Sequence, residues 1–376
     1  MLRSNVKAGE IGPVNATKYD TPALMLDMDA LERNIGRMAD YFRGKKAKLR
    51  PHVKGHKSPF IAQMQIIAGA AGVTCATMKE AEVMVQSGIN DVFIANEILD
   101  EEKIQMLAKL ARYSSIKVAV DSERNAKQIS NAASRRMSKI GILIDVNLGG
   151  QTGFEGILDR CGLPPGPSVA TLANEVSRMK NLEFKGLMGY EGGLRKFPEY
   201  ERRKAACERA LTLLIETRDL VSDSGLSVDT VSCGGTRSYN IAGEFPGVTE
   251  VQAGSYVFMD ETYRRFGLGF EIASTVSASV ISNPKAHKVI TDAGLKAISM
   301  DQGLPLVKDK PEWEVTDLNA EHGHIIVKRV DEVIDVGQTV ELVPTHIDTT
   351  VCLHDSYLLV RDGKFEMRLG VAARGY

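Results

Sequence analysis

No stretch of this 376-residue chain is uncharged and apolar for long enough to cross a membrane as a helix, which takes roughly 20 residues. The first twenty residues, MLRSNVKAGEIGPVNATKYD, contain no apolar core of the kind a secretory leader needs. An excess of either charge is also missing. Lys and Arg number 47 against 48 Asp and Glu, a net charge of −1, so no global field exists to gather nucleic acid or anionic lipid. The five cysteines, Cys75, Cys161, Cys207, Cys233 and Cys352, are odd in number, scattered and never spaced CxxC. That pattern argues against a disulfide framework and a zinc ribbon and fits a reducing compartment. The expectation is a soluble, cytoplasmic protein whose partner is a small molecule.

What is present is alternation. Short β-rich runs are each followed by a longer stretch of helical spacing, the signature of a parallel βα architecture. After an opening strand at Ala23 to Met28, runs end at Lys54, Met78, Glu97, Ser122, Leu148, Tyr190, Gly235 and Ser255. This set, starting at Lys48, has the count that closes a (β/α)8 barrel. Between the runs, LDEEKIQMLAKLARY and SERNAKQISNAASRRM place apolar residues at i, i+3, i+4, and the longest helical segment, 198–225, ends in a Ser-Gly pair suited to a C-cap. From about Glu271 the pattern changes to short strands separated by turns, as in STVSASVI, HKVITDAG, GHIIVKRV, QTVELVP and SYLLVRDGKFEMRL. The expected organisation is a barrel over 30–260 and a mainly β domain formed by 1–29 and 261–376, with the opening strand packed in that second domain.

Catalytic groups of a barrel stand at the C-terminal ends of its strands. Here those positions hold Lys54, Cys75, Thr77, Asn96, Asp121, Asp145, Asn147, Tyr190, Glu191, the run Cys233 to Thr236, and Gly254 to Tyr256. The last two strands end in SCGGTRS and AGSY, and loops after strands seven and eight are a common phosphate site. Gly234, Gly235 and Gly254 let backbone N–H groups approach an anion, with the hydroxyls of Thr236, Ser255 and Tyr256 as further donors. Tight βα turns are the plainer reading of the same glycines. In RPHVKGHK, period-2 alternation on a strand puts Arg50, His52, Lys54 and His56 on one face. A lysine among other cations gives up its proton readily, as a Schiff-base lysine must, with His52 and His56 as candidate catalytic neighbours. A solvated cationic edge strand is the alternative, but a lysine beside a phosphate cradle describes pyridoxal phosphate.

In VPTHIDTTVCLHD, His346 and Asp348 would point the same way on an extended segment and could share a divalent cation, Mn²⁺ or Mg²⁺ better than zinc. A surface ion pair is the ordinary reading of such a spacing. Cys352, His354 and Asp355 follow closely, and NAEHGH adds Glu321, His322 and His324, for which a structural role is equally open.

RPHVKGHKS, VTCATMKEAEVMVQSGI, SCGGTRSY, VQAGSYVFMD, ITDAGLK, NAEHG and HxDxTxxxHD resemble, in order and spacing, the D-threonine aldolase and D-3-hydroxyaspartate aldolase family. That family lies within the alanine-racemase-like, fold-type III group that also holds the eukaryotic-type D-serine dehydratases. The resemblance runs from residue 21 to the C-terminal AARGY. It implies that Lys54 holds pyridoxal 5′-phosphate as a Schiff base and that Gly235, Thr236, Gly254, Ser255 and Tyr256 surround its phosphate. It also implies Tyr190 near the pyridine ring, and His346 and Asp348 on a metal beside the substrate β-hydroxyl. The dehydratases look to have cysteine in place of Asp348, so aspartate favours the aldolase branch. Two departures stand out. Where the family tends to read GxxRCGV, this chain reads GGQTGFE, with Thr152 in place of an arginine, and after Tyr190 it reads EGGL where more polar groups are expected.

The resemblance implies a metal-dependent lyase that cleaves D-3-hydroxy-amino acids to glycine and an aldehyde, acting as a homodimer. A dehydratase releasing ammonia and a 2-oxo acid is the main alternative. A non-catalytic pyridoxal-phosphate-binding protein would resemble the barrel alone, and a racemase would need a second base where the metal pair stands.

Overall fold

A computed structural model describes residues 19–149, 157–285, 287–328 and 335–375. The described part of the chain opens with β1 (Ala23–Asp27), whose Leu24 and Leu26 are buried, and turns at once into a helix, Met28–Phe42. Asp27 ends the strand and starts the helix, its carboxylate accepting from the Ala30 amide at 2.9 Å. There follow β2 (Lys48–Leu49), β3 (Val73–Cys75), β4 (Asp91–Ile94), β5 (Ser115–Val120), β6 (Ile140–Asp145), β7 (Leu182–Met188), β8 (Thr230–Cys233) and β9 (Glu250–Val251). These eight are parallel, in the order β2-β9-β8-β7-β6-β5-β4-β3. A bridge between His52 and Thr74, with the Thr74 amide donating to the Pro51 carbonyl at 2.9 Å, joins the two ends of the sheet into a barrel. Helices Met78–Gln86, Glu101–Leu110 and Glu123–Arg136 fill the crossovers between β3 and β6, and the first two start on side-chain caps, Thr77 and Asp100.

Inside the barrel, Phe93, Ala119, Leu143 and Met188 form an apolar layer. One layer nearer the strand N-termini lies an ion network. Arg50, 2% exposed, donates to Asp91 at 2.8 Å and Glu250 at 2.7 Å, and Lys117 reaches Asp91 at 2.7 Å. Burial opposes ionisation of Asp91, but Arg50 and Lys117 outweigh it and hold the carboxyl below its usual range.

This corrects the expectation that Arg50, His52, Lys54 and His56 share one face. The strand ends at Leu49, and a 3₁₀ turn over Val53–Gly55 breaks the period of two. Arg50 is consumed by the ion network, while His56 is fully buried beside Phe258 and does not line the cavities described below.

The second sheet contains β10 (Ser274–Lys285), β11 (Lys288–Thr291), β12 (Leu306–Val307), β13 (Trp313–Leu318), β14 (Gly323–Val327), β15 (Thr339–Val343), β16 (Ser356–Arg361) and β17 (Lys364–Gly370). Its order is β13-β14-β11-β10-β1-β16-β17, with β15 also on β10 and β12 on β15. The opening strand therefore pairs in the second sheet, antiparallel to β10 and parallel to β16. A short helix, Ile347–Val351, interrupts this otherwise β region. The C-terminal part sits on the loop that carries Lys54: the Tyr357 hydroxyl donates to the His56 carbonyl at 2.6 Å and the Ala373 amide to the Lys57 carbonyl at 3.0 Å.

Candidate active site

Two cavities meet at Lys54, at the C-terminal ends of the barrel strands. The inner one, about 140 Å³, is lined by His52, Asp145, Thr236, Gly254 and Ser255 among others. The outer one, about 230 Å³, carries His346 and Asp348. Lys54, Arg160 and Tyr190 line both.

Lys54 is exposed and belongs to no ion pair among the described residues. Its neighbour Lys57 has the opposite fate, 7% exposed and paired with Glu80 at 2.5 Å. The free amine at the cavities is therefore that of Lys54. Burial, and then the positive charge of Lys54, holds the His52 imidazole far below its usual range, so it stays neutral; its Nδ1 accepts from the Lys54 amide at 3.4 Å.

The anion cradle is built from backbone. The Gly235 amide is taken by Ser238 Oγ and that of Gly234 by Glu191, but the amides of Thr236, Arg237, Gly254 and Ser255 donate to no acceptor among the described residues. Orphaned donors clustered beside the Thr236 and Ser255 hydroxyls suit a phosphate. Any side chain at Gly254 would strike the His52 carbonyl, so the cradle must be lined by glycine there. These residues fit pyridoxal phosphate, with Tyr190 as the flat neighbour: a Cβ on Gly235 would stand 3.4 Å from its ring.

Tyr256 needs correction as a hydroxyl donor to that phosphate. Its ring is fully buried against Phe270 and its hydroxyl accepts from Gln65 at 2.9 Å, on the far side of the cradle; only its backbone amide turns back, to Thr236 Oγ1 at 3.1 Å. Cys75 and Cys233 face the surrounding core, Thr77 is a helix cap, and Asp121 accepts from the Gly162 amide at 3.3 Å. Asn96, Asp145 and Asn147 line the inner cavity.

Thr152 lies outside the described residues. The arginine missed there is Arg160, in the run Arg160-Cys161-Gly162, which reaches both cavities with its guanidinium 5.8 Å from the Tyr190 ring centre. The tripeptide was readable in the sequence, with its arginine eight residues beyond Thr152. On the inner wall, ligand atoms of Glu97, Asp145 and Cys161 lie within 4.8 Å of one another. Burial, and then repulsion from Glu97, pushes the Asp145 carboxyl up to about 8, so it carries a proton at neutral pH.

His346 and Asp348 come together by a route other than strand alternation. His346 is the N-cap of Ile347–Val351 and Asp348 lies in its first turn. Asp301, invisible as a partner in the sequence, accepts from His346 Nδ1 at 2.6 Å, leaving Nε2 as the ligand nitrogen. Asp348 Oδ1 accepts from Ser255 Oγ at 3.4 Å and joins no ion pair among the described residues. An oriented imidazole and an unneutralised carboxylate on one cavity fit a divalent cation of the Mn²⁺ or Mg²⁺ kind. The two stations touch, since a Cβ on Gly55, next to Lys54, would lie 2.8 Å from Asp348 Oδ1. Nearby candidates do not join them. Cys352 is exposed with its thiol on the Asp348 carbonyl, His354 binds the Ala297 carbonyl at 2.8 Å, and Asp355 pairs with Arg374. Glu321 pairs with Lys296, His324 with Asn319, and His322 is exposed.

A barrel with one free lysine facing an anion cradle, capped by a β domain, defines the alanine-racemase class, and comparison with known proteins agrees. The family described as alanine racemase, N-terminal domain, matches residues 26–262, and the putative serine dehydratase domain matches 273–360. D-threonine aldolase of Arthrobacter sp is 36% identical over 96% of this chain and 94% of its own. 3-Hydroxy-D-aspartate aldolase of Paracoccus denitrificans (strain Pd 1222) is also 36% identical, with the same coverage. The crystal structure of D-threonine aldolase from Filomicrobium marinum superposes with a TM-score of 0.90 at 37% identity, covering 95% of this chain and 96% of that one. The chain thus belongs to the family of D-threonine and 3-hydroxy-D-aspartate aldolases.

Proposed function

We propose that this chain is a pyridoxal-phosphate lyase, assisted by a divalent metal, that cleaves D-3-hydroxy-amino acids to glycine and an aldehyde. The observation that carries the reading is the position of Lys54, whose amine borders both the anion cradle and the His346–Asp348 pair. In this reading Lys54 Nζ binds the cofactor aldehyde, while Thr236, Ser255 and the orphaned amides hold its phosphate. His346 Nε2 and the Asp348 carboxylate hold the cation at the substrate β-oxygen, with Asp301 keeping the imidazole in its Nδ1–H tautomer. Pyridoxal phosphate supplies a sink for the electron pair released as Cα–Cβ breaks, and the cation supplies Lewis acidity at the β-hydroxyl. Protonated Asp145 adds no anion to the inner cavity, and neutral His52 adds no cation.

The test is to incubate the protein, loaded with pyridoxal phosphate and Mn²⁺, with D-threonine and D-3-hydroxyaspartate and to measure glycine and ammonia together. Glycine with an equimolar aldehyde, suppressed by a chelator, is expected. Ammonia with a 2-oxo acid would make the chain a dehydratase.

A further inference from the structure

The outer cavity is more basic than cleavage of a neutral side chain requires. Beyond the metal pair it is lined by Arg195, on the turn Leu194–Lys196, and by Arg237, just after the phosphate loop. Neither arginine joins an ion pair among the described residues. Arg237 is held firmly. Its guanidinium stacks 3.9 Å from the Tyr263 ring centre and 5.1 Å from that of Phe266, and its backbone carbonyl accepts from Arg203 Nε at 3.0 Å. Yet its own Nε is buried with no hydrogen-bond partner among the described residues. A guanidinium immobilised by aromatic stacking with a buried donor unmet is poised for an acceptor that arrives from outside the chain.

The anions on this wall do not supply that acceptor. Glu191, also on the cavity, is buried, accepts from the Gly234 amide at 3.1 Å and from Ser238 Oγ, and burial raises its carboxyl above the ordinary range. Asp348 faces the cation station. Arg160 borders both cavities, whereas Arg195 and Arg237 line only the outer one, the cavity that carries His346 and Asp348.

We infer that Arg237, assisted by Arg195, is a carboxylate clamp that selects 3-hydroxy-amino acids carrying a second carboxylate at the β-carbon over those with an apolar β-substituent. The inference rests on the lyase reading and assigns its side-chain specificity. A carboxylate is the matching ligand because its two oxygens pair with the planar fork of a guanidinium.

The test compares kcat/KM for D-3-hydroxyaspartate and for D-threonine in the holoenzyme and in the Arg237→Gln, Arg237→Lys and Arg195→Gln variants. The expected result is that the ratio of the two values falls at least tenfold in Arg237→Gln, by raised KM for the dicarboxylate, falls less in Arg195→Gln, and is partly recovered in Arg237→Lys. A ratio unchanged within twofold in both glutamine variants overturns the clamp. Calorimetric binding of succinate against butyrate to the holoenzyme gives a readout that needs no turnover. Preference for succinate, lost in Arg237→Gln, supports the clamp even if neither amino acid is cleaved, which would sink the lyase reading alone; equal binding of the two acids overturns it.

Discussion

Lys54 and Lys57 stand three residues apart on one turn, and only their surroundings tell them apart: Lys57 is buried against Glu80 while Lys54 is open to both cavities. Borohydride reduction of the loaded protein is therefore expected to leave its pyridoxyl label on Lys54, and peptide mapping of Lys54→Ala should find none on Lys57. The lysine, the glycines of the cradle and the His346–Asp348 pair were legible because each carries its chemistry in a short run of sequence. Asp301 was not, since its bond to His346 is made between segments that only the fold brings together. Removing such an orienting carboxylate, as in Asp301→Asn, should weaken Mn²⁺ binding by about 10–100-fold in a metal titration followed by electron paramagnetic resonance. Asp145 offers a pH test. Its folded-state pKa, about 8, lies above the ordinary carboxyl value of 3.8, so the stability it confers is full below about pH 4 and is lost as pH rises to 8. Thermal melts should show Asp145→Asn gaining on the parent protein across that window, and a constant gap would contradict the assignment.

Strands were found in the right places and drawn too long at their C-terminal ends. KLRPHVK is a strand only at Lys48–Leu49, and VTEVQAGS only at Glu250–Val251. The extended backbone runs on past the last strand residue, with the Arg50 and His52 amides still donating to the Val251 and Ala253 carbonyls at 2.9 and 3.2 Å, until the 3₁₀ turn over Val53–Gly55 ends it, so the sequence pattern shows no break at Leu49. The same overextension put His56 and Arg50 on the face of Lys54. In the second sheet β13 went unread although Trp313 and Val315 alternate inward, because Glu314, Thr316 and Asp317 around them dilute the apolar signal. The loops at the strand ends are sterically committed. Gly254→Ala would drive a methyl into the His52 carbonyl, and an overpacking cost of about 1–3 kcal/mol is expected in denaturant unfolding, together with weaker cofactor retention on dialysis.

At the level of the whole molecule, β1 joins the first residues of the described chain to the last, lying between β10 and β16 at the centre of the second sheet. Leu26, fully buried on that strand, should cost about 2–5 kcal/mol when changed to alanine, read as a lowered midpoint in chemical unfolding. The general plan, a barrel followed by a β domain that reclaims the opening strand, was visible from the change of periodicity near Glu271. How the two parts meet was not. One place where they meet is Gly55, where only a hydrogen atom fits beside the Asp348 carboxylate. A bulkier residue at that spot would push the cation's anchor and the amine's backbone apart in a single movement, so the two halves of the chemistry are geared to one another and cannot be retuned separately.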